Sequence, residues 1–375
     1  MPPVKINIMS DTNNYVPVLK WKSAERNALK FVKNKTMIRP LIELVMPKYK
    51  GGKPLVRENL EEITQWQIME FRKKIDEIPQ QVKDTWGDGQ ILIDFSLIEN
   101  EIKIESVDKI SNLASKLGLR FVPVFNLSDP DDFKSAVCER NLDYFDGICL
   151  RIVKQDLKDI DQCNRNIESI VQTFKLKRDN MDLLVDMKET AETDIEYLKK
   201  SQSIKKLTEW RGYIFCSGAF PQDLSECKVG ETNLVARMDW LNWKEVNDLG
   251  LERVPTFSDY SIRHPIYNRY AENFGASSSI KYTLNDDWLI LRGTKGNPAQ
   301  FLGHAKSLVD NDFFWGEQHS YGDEIILEKA NYLSEYIEKK KLGKDPKGTG
   351  NSTTWIQVGI NHHIEFVLYQ IANLT

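Results

Sequence analysis

No run in this 375-residue chain approaches the roughly 20 consecutive apolar residues that cross a bilayer, and residues 1–9 are too few and too polar for a signal peptide. A soluble protein is expected. The five cysteines, at 138, 149, 163, 216 and 227, are odd in number and contain no Cys-x-x-Cys pair, which argues against a disulfide framework or a zinc knuckle and fits a reducing cytoplasm. Positive charge is not in excess: 51 Lys and Arg stand against 55 Asp and Glu, for a net charge of −4. That removes a global field for nonspecific nucleic-acid binding and leaves only local patches. A Gly-x-Gly-x-x-Gly turn, the mark of a dinucleotide crevice, does not follow the first strand-like run. Histidine is scarce. All five, at 264, 304, 319, 362 and 363, fall in the last third, and none has His-Glu-x-x-His spacing.

What the chain does contain is an alternation of short apolar runs with amphipathic stretches. Strand-like runs lie at 15–21, 38–45, 91–95, 120–127, 147–153, 181–188, 213–220 and 254–259. Between them fall helical patterns, the clearest placing Val107, Ile110, Leu113, Ala114 and Leu117 on one stripe. A parallel sheet needs such crossovers, and eight units predict an α/β fold, a (β/α)8 TIM-like barrel; a doubly wound open sheet is the competitor. Residues 1–14 read as a polar leader, 15–265 as the barrel core, and 48–54 as a basic, flexible loop. In 266–375 the pattern changes. Residues 280–283 and 288–291 flank an Asn-Asp-Asp turn as a hairpin, and helices near 299–309, 323–340 and 354–373 should pack on the barrel rim, with a Gly-rich loop at 342–353.

Barrel sites sit at the carboxyl ends of the strands, so charged residues late in apolar strands are the ones to collect. They are Lys20, Glu43, Asp94, Asn126, Arg151, Asp186, Lys188 and Asp259. Glu43, Asp94 and Asp186, with Asp259 as a fourth, would supply oxygen ligands to Mg or Mn. The alternative is an interior ion-pair network with Lys20, Arg151 and Lys188. His264 is a candidate general acid or base, with Asp259, Lys20 and His362 as further catalytic candidates. Arg151, Lys188, Arg263, Arg292 and Asn361 are candidate substrate-binding groups, and Arg292 opens an Arg-Gly-Thr-Lys-Gly turn suited to an anion or simply to solvent. Trp210, Trp240, Trp243, Trp288, Trp315 and Trp355 read as packing, with a base-stacking platform as the sharper alternative.

Several stretches in combination resemble the phage-type Beta protein family, found in phages, prophages and bacterial defence islands. They are residues 15–21 with Glu25, residues 39–43, 149–151 and 258–260, His264 with Pro265, and residues 281–283, 288–293 and 357–363. The resemblance runs almost end to end and implies a setting of phage conflict, in defence or counter-defence. It transfers no catalytic residue. Two functions are therefore carried forward: a metal-dependent hydrolase of a phosphoester in a nucleotide or nucleic acid, and a non-catalytic barrel that binds a phage protein or regulates a partner toxin.

Overall fold

The computed structural model describes residues 15–51, 56–246, 249–269 and 277–374; the leader and part of the 48–54 loop lie outside them. Eight parallel strands close into a barrel: β1 (Tyr15–Lys20), β2 (Leu41–Glu43), β3 (Ile91–Asp94), β4 (Phe121–Asn126), β5 (Ile148–Val153), β6 (Met181–Glu189), β7 (Gly212–Gly218) and β9 (Thr256–Asp259). The first strand pairs with both neighbours needed for closure, through Val18 to Leu41 and Val16 to Ser258. The open sheet is thereby excluded. Helices α1 (Ser23–Lys30), α2 (Leu60–Lys74), α3 (Ile78–Trp86), α4 (Asn100–Lys116), α5 (Asp131–Tyr144), α6 (Ile160–Thr173), α7 (Asp194–Ser201) and α8 (Met238–Val246) fall between or after the strands.

Side chains alternate across each strand, and this sorts the barrel into layers. Val16, Val18, Leu41, Leu92, Val122, Val124, Cys149, Leu184 and Ile214 fill the middle as one apolar cluster. Below it, at the amino-terminal ends of the strands, Asp182 accepts from Arg39 at 3.1 Å and from Arg211 at 2.6 Å. Gly212 faces this plug closely enough that a Cβ there would stand 2.5 Å from Asp182 Oδ1. Above the apolar layer the interior turns polar again.

Beyond the barrel, the expected hairpin forms from β10 (Ile280–Thr283) and β11 (Asp287–Leu291), but it is extended by a third strand, β8 (Thr232–Ala236), inserted between β7 and β9. Helices α9 (Gln300–Val309), α10 (Tyr321–Lys341) and α11 (Ser352–Ala372) complete the appendage. The last of these packs on α1 and β10, and Gly359 permits the approach, since a Cβ there would lie 2.6 Å from Ile262 Cδ1 and 2.8 Å from the Lys281 carbonyl.

A buried chain of hydrogen bonds joins appendage to barrel. Tyr15 donates to Asp259 Oδ1 at 2.6 Å, and Asp259 Oδ2 meets His363 Nε2 at 2.8 Å. Thr283 touches His363 Nδ1 through its hydroxyl and His362 Nε2 through its carbonyl, both at 2.9 Å. His362 Nδ1 then meets Asp323 Oδ2 at 2.9 Å, and Tyr282 donates to Asp323 Oδ1 at 2.7 Å. Asp259→Ala would strand the Tyr15 hydroxyl and one His363 nitrogen in a dry joint. A loss of about 3 kcal/mol or more in unfolding free energy is expected in denaturant melts; a loss below about 1 kcal/mol would show that this chain does not carry the joint.

Candidate functional site

The polar layer at the carboxyl ends is organised by one side chain. Arg151 reaches inward from β5, 1% exposed, and spends all three guanidinium nitrogens on acceptors. Its Nε donates to Asp186 Oδ2 at 2.9 Å, one terminal nitrogen donates to Glu43 at 3.1 Å and to Asp94, and the other reaches Glu43, Asp186 and the Tyr260 hydroxyl, the last at 2.7 Å. Tyr260 in turn donates to Asp186 Oδ2 at 2.8 Å. Lys20 Nζ stands 3.2 Å from Glu43 Oε2, and Lys188 Nζ stands 3.1 Å from Asp186 and 3.0 Å from the Tyr260 hydroxyl. The structure thus brings Lys20, Glu43, Asp94, Arg151, Asp186 and Lys188 together. Three carboxylates face three cations.

Their electrostatics follow from that closure. Burial pushes the Glu43 carboxyl up, but Lys20, Lys188 and Arg151 overcome it and hold the group down at about 2. Asp186 is likewise held below the usual carboxylate range against its burial, by Lys188, Arg151 and the bonds from the Lys188 amide and Tyr260. Burial lowers Lys20, with Glu43 opposing and Lys188 adding to the fall. A divalent ion does not fit here: the oxygens of Glu43, Asp94 and Asp186 that converge do so on the guanidinium, which stands where an ion would have to bind. The three residues meet as a ring, but as the ion-pair network and not as an open oxygen cage.

Local backbone chemistry aims these groups. Late in β3, β6 and β9 an aspartate accepts the amide two residues on: Asp94 from Ser96 at 2.6 Å, Asp186 from Lys188 at 2.8 Å, Asp259 from Ser261 at 2.9 Å. Two of those turns need left-handed backbone, at Lys188 (φ 59°) and Ser261 (φ 56°). The Lys188 turn coincides with an irregularity in the β6 ladder and folds that ammonium back over the centre.

Other expected site residues lie elsewhere, each for a physical reason. Asp259 is not interior, because Phe257 and Asp259 share the outward parity while Ser258 and Tyr260 point in; it serves the joint to His363. His362 is fully buried in the appendage between Asp323 and Thr283, so it does not reach the mouth. Asn361 is a clamp, accepting from the Gly322 amide at 2.8 Å and donating to the Ala28 carbonyl at 3.0 Å. Arg292 is bound to the carbonyls of Cys227 at 2.6 Å and Ser225 at 3.2 Å, which explains its place without an anion. His264 and Arg263 do sit at the rim: His264 Nε2 meets Glu189 at 2.8 Å, and Arg263 Nε stands 3.8 Å from buried Glu25. Asn126 turns to Asp129 and Ser96. Of the six tryptophans in the second half, Trp315 alone is exposed, so they build no stacking platform.

Beside the mouth lies a pocket that the sequence reading passed over. The turns after β1 and β2, with α2 and α3, enclose about 250 Å³ lined by Lys22, Arg26, Lys48, Lys74, Gln81 and an apolar wall that includes Trp21, Met46 and Phe71. Gln81 Oε1 accepts from Arg26 at 2.7 Å and from the Trp21 indole at 3.2 Å, fixing both. Among the described residues, four cations and no carboxylate line it. Glu25 lies near Lys22 and Arg26, yet burial leads in pulling Lys22 down to about 8, with Arg263, Lys20 and Lys48 adding to the fall against Glu25.

Fold and site together define a (β/α)8 barrel with a charge-neutralised interior centre and a cationic pocket at its carboxyl-terminal face. The Beta protein family model matches residues 15–369, nearly the whole chain, and the protein belongs to that phage-associated family. No curated protein matches it. Among solved structures, it is similar to a type I 3-dehydroquinate dehydratase from Clostridium difficile with covalently modified comenic acid, at 14% identity over 72% of this chain and 92% of that one, TM-score 0.41. A D-psicose 3-epimerase with D-tagatose from Clostridium cellulolyticum H10 follows at 12% identity over 65% and 84%, TM-score 0.24. The barrel assignment rests on the strand pairing itself.

Arg151→Met should separate a network role from a catalytic one. Carboxylates held low contribute stability that is present above their unfolded pKa, near 4.5 for Glu43 and 3.8 for Asp186, and is lost as pH falls toward the folded value. Wild-type stability should therefore erode from about pH 4.5 downward. The variant, left with buried carboxylates short of a partner, should lose about 3–5 kcal/mol at pH 7. Its deficit should shrink as acid neutralises them, read from denaturant midpoints between pH 3 and 7. An equal deficit across that range would remove these carboxylates from the account.

Proposed function

We propose that this protein is a recognition barrel of phage conflict that binds a phosphate-bearing ligand, a nucleotide or a nucleic-acid end, in the cationic pocket beside β1 and β2, without a divalent ion. One observation carries this reading: among the described residues, four cations line the cavity and no carboxylate does. Phosphate oxygens accept several charge-assisted hydrogen bonds at once, and lysine and arginine side chains converging on one cavity suit such an acceptor. The apolar wall suits the flat, less polar part of such a ligand. Metal-assisted hydrolysis at Glu43, Asp94 and Asp186 is set aside because Arg151 stands between them. A reducing, cytoplasmic setting suits five buried cysteines that are all unpaired, and no helix among the described residues is long and apolar enough to cross a membrane.

Calorimetric titration with pyrophosphate and with a nucleoside triphosphate, in EDTA, tests the reading. Binding should survive the chelator, fall more than about 10-fold in Lys22→Ala/Lys48→Ala at unchanged melting temperature, and weaken from pH 7 to 9 as Lys22 loses its proton near 8. Binding that needs a divalent ion, or that the double variant leaves intact, would overturn it.

A further inference from the structure

The end of the hydrogen-bonded joint carries a second arrangement, independent of the pocket. We propose that His319, Asp323 and His362 bind one divalent transition-metal ion through His319 Nε2, an Asp323 carboxylate oxygen and His362 Nδ1, with zinc the ion best matched to the donor set. One ligand atom from each of the three residues lies within 4.8 Å of the other two. Two imidazole nitrogens and one carboxylate oxygen suit zinc and its first-row neighbours, and disfavour magnesium and calcium, which take oxygen ligands.

The surroundings are those a metal site requires. A ligating histidine is oriented by what its other nitrogen meets, and His362 Nε2 meets the Thr283 carbonyl at 2.9 Å, leaving Nδ1 toward the cluster. Asp323 is oriented the same way, its Oδ1 accepting from Tyr282 at 2.7 Å and its Oδ2 from Ser320 at 2.6 Å. His319 supplies the telling observation. Its Nε2 is buried without a hydrogen-bond partner among the described residues, although its own backbone is pinned by Lys33, whose ammonium donates to the His319 carbonyl at 3.2 Å. The ring is wedged against Trp315, Phe366 and Tyr369, at centroid distances of 5.3, 5.8 and 6.2 Å.

The His362–Asp323 pair needs only a small adjustment, while His319, within 4.8 Å of it, has to close in. Ligands about 2.0–2.1 Å from one tetrahedral ion stand about 3.3 Å apart, whereas His362 Nδ1 and Asp323 Oδ2 are 2.9 Å apart as a hydrogen bond. A few tenths of an ångström open the pair, and the ion takes the place of the proton on Nδ1, which passes to solvent. A remaining coordination position has a route to water, since Trp315 is 39% and Tyr369 is 45% exposed beside His319. The ion would tie the first turn of α10 to the middle of α11, the helix that holds the appendage to the barrel.

The test uses the full chain, stripped with chelator and dialysed, then titrated with Zn²⁺ by calorimetry and with Co²⁺ followed by visible absorption. One ion per chain and the intense bands of a four-coordinate Co²⁺ site are expected. His319→Ala, which removes an imidazole nitrogen that bonds nothing else, should weaken binding by more than about 100-fold, and His264→Ala should leave it unchanged. Asp323→Asn, which retains an acceptor for Ser320 at the start of α10, should weaken it as well, and decides the matter should His319→Ala fail to fold. Absence of one-to-one binding, or binding that the cluster variants leave undiminished, would overturn the proposal.

Discussion

Arg151 is the residue on which the barrel's polar end depends. Three acids from β2, β3 and β6 point into one low-dielectric space, and no arrangement of them is tolerable without a cation at their centre. A planar guanidinium meets that demand because its donors lie in a rigid fork, so one group can satisfy carboxylates arriving from opposite walls. Lys20 and Lys188 then complete the neutralisation from the rim side, and the Tyr260 hydroxyl ties Arg151, Asp186 and Lys188 together. Breaking such a network by removing one member costs more than the network itself contributes, because the partners are left charged and dry.

The same principle works at three levels of the molecule. At the bottom Asp182 holds Arg39 and Arg211; at the top Arg151 holds three acids; at the side Asp259 and Asp323 each hold a histidine of α11. In each case a buried charged or polar group has its compensation supplied from a different part of the chain, some of it hundreds of residues away, as with Tyr15 and Asp259. These contacts are strongly directional, so they fix how sheet and appendage meet in a way that apolar packing alone does not.

Much of this was legible in the sequence. The eight short apolar runs and their amphipathic spacers gave closure and strand order, because burial on both faces demands that pattern. Lys20, Glu43, Asp94, Arg151 and Asp186 could be collected from their late positions in such runs. What the pattern could not fix was the reach of one side chain into the ring, since that depends on where opposite strands stand in space. Asp259 was misplaced by one residue of parity: the alternation Phe257, Ser258, Asp259, Tyr260 already puts Tyr260 inside, and anchoring it on apolar Phe257 would have shown this. β8 escaped because its alternation is nearly solvent-facing and its partner β11 lies far along the chain. His362 and Asn361 were read toward the mouth from a stripe of apolar neighbours, but α11 is buried on nearly every side through its middle, so the stripe did not define one inward face.

The pocket was missed for a related reason, and it follows from the closure of the centre. Lys22 and Lys48 come just after β1 and β2, one step beyond the strand ends where charged residues were sought, while Arg26, Lys74 and Gln81 come from helices whose faces only the fold brings together. In the layer around Arg151, acids and bases match, so an incoming anion would meet no unbalanced charge there and would have to displace Glu43 or Asp186 from Arg151. Just outside, Arg26 has acid neighbours in Glu25 and Glu77 and Lys22 has one in Glu25, while no carboxylate stands among the described residues that line the cavity. On the proposed reading, a barrel that neutralises its own interior has its anion site further out, at the first two strand-to-helix turns.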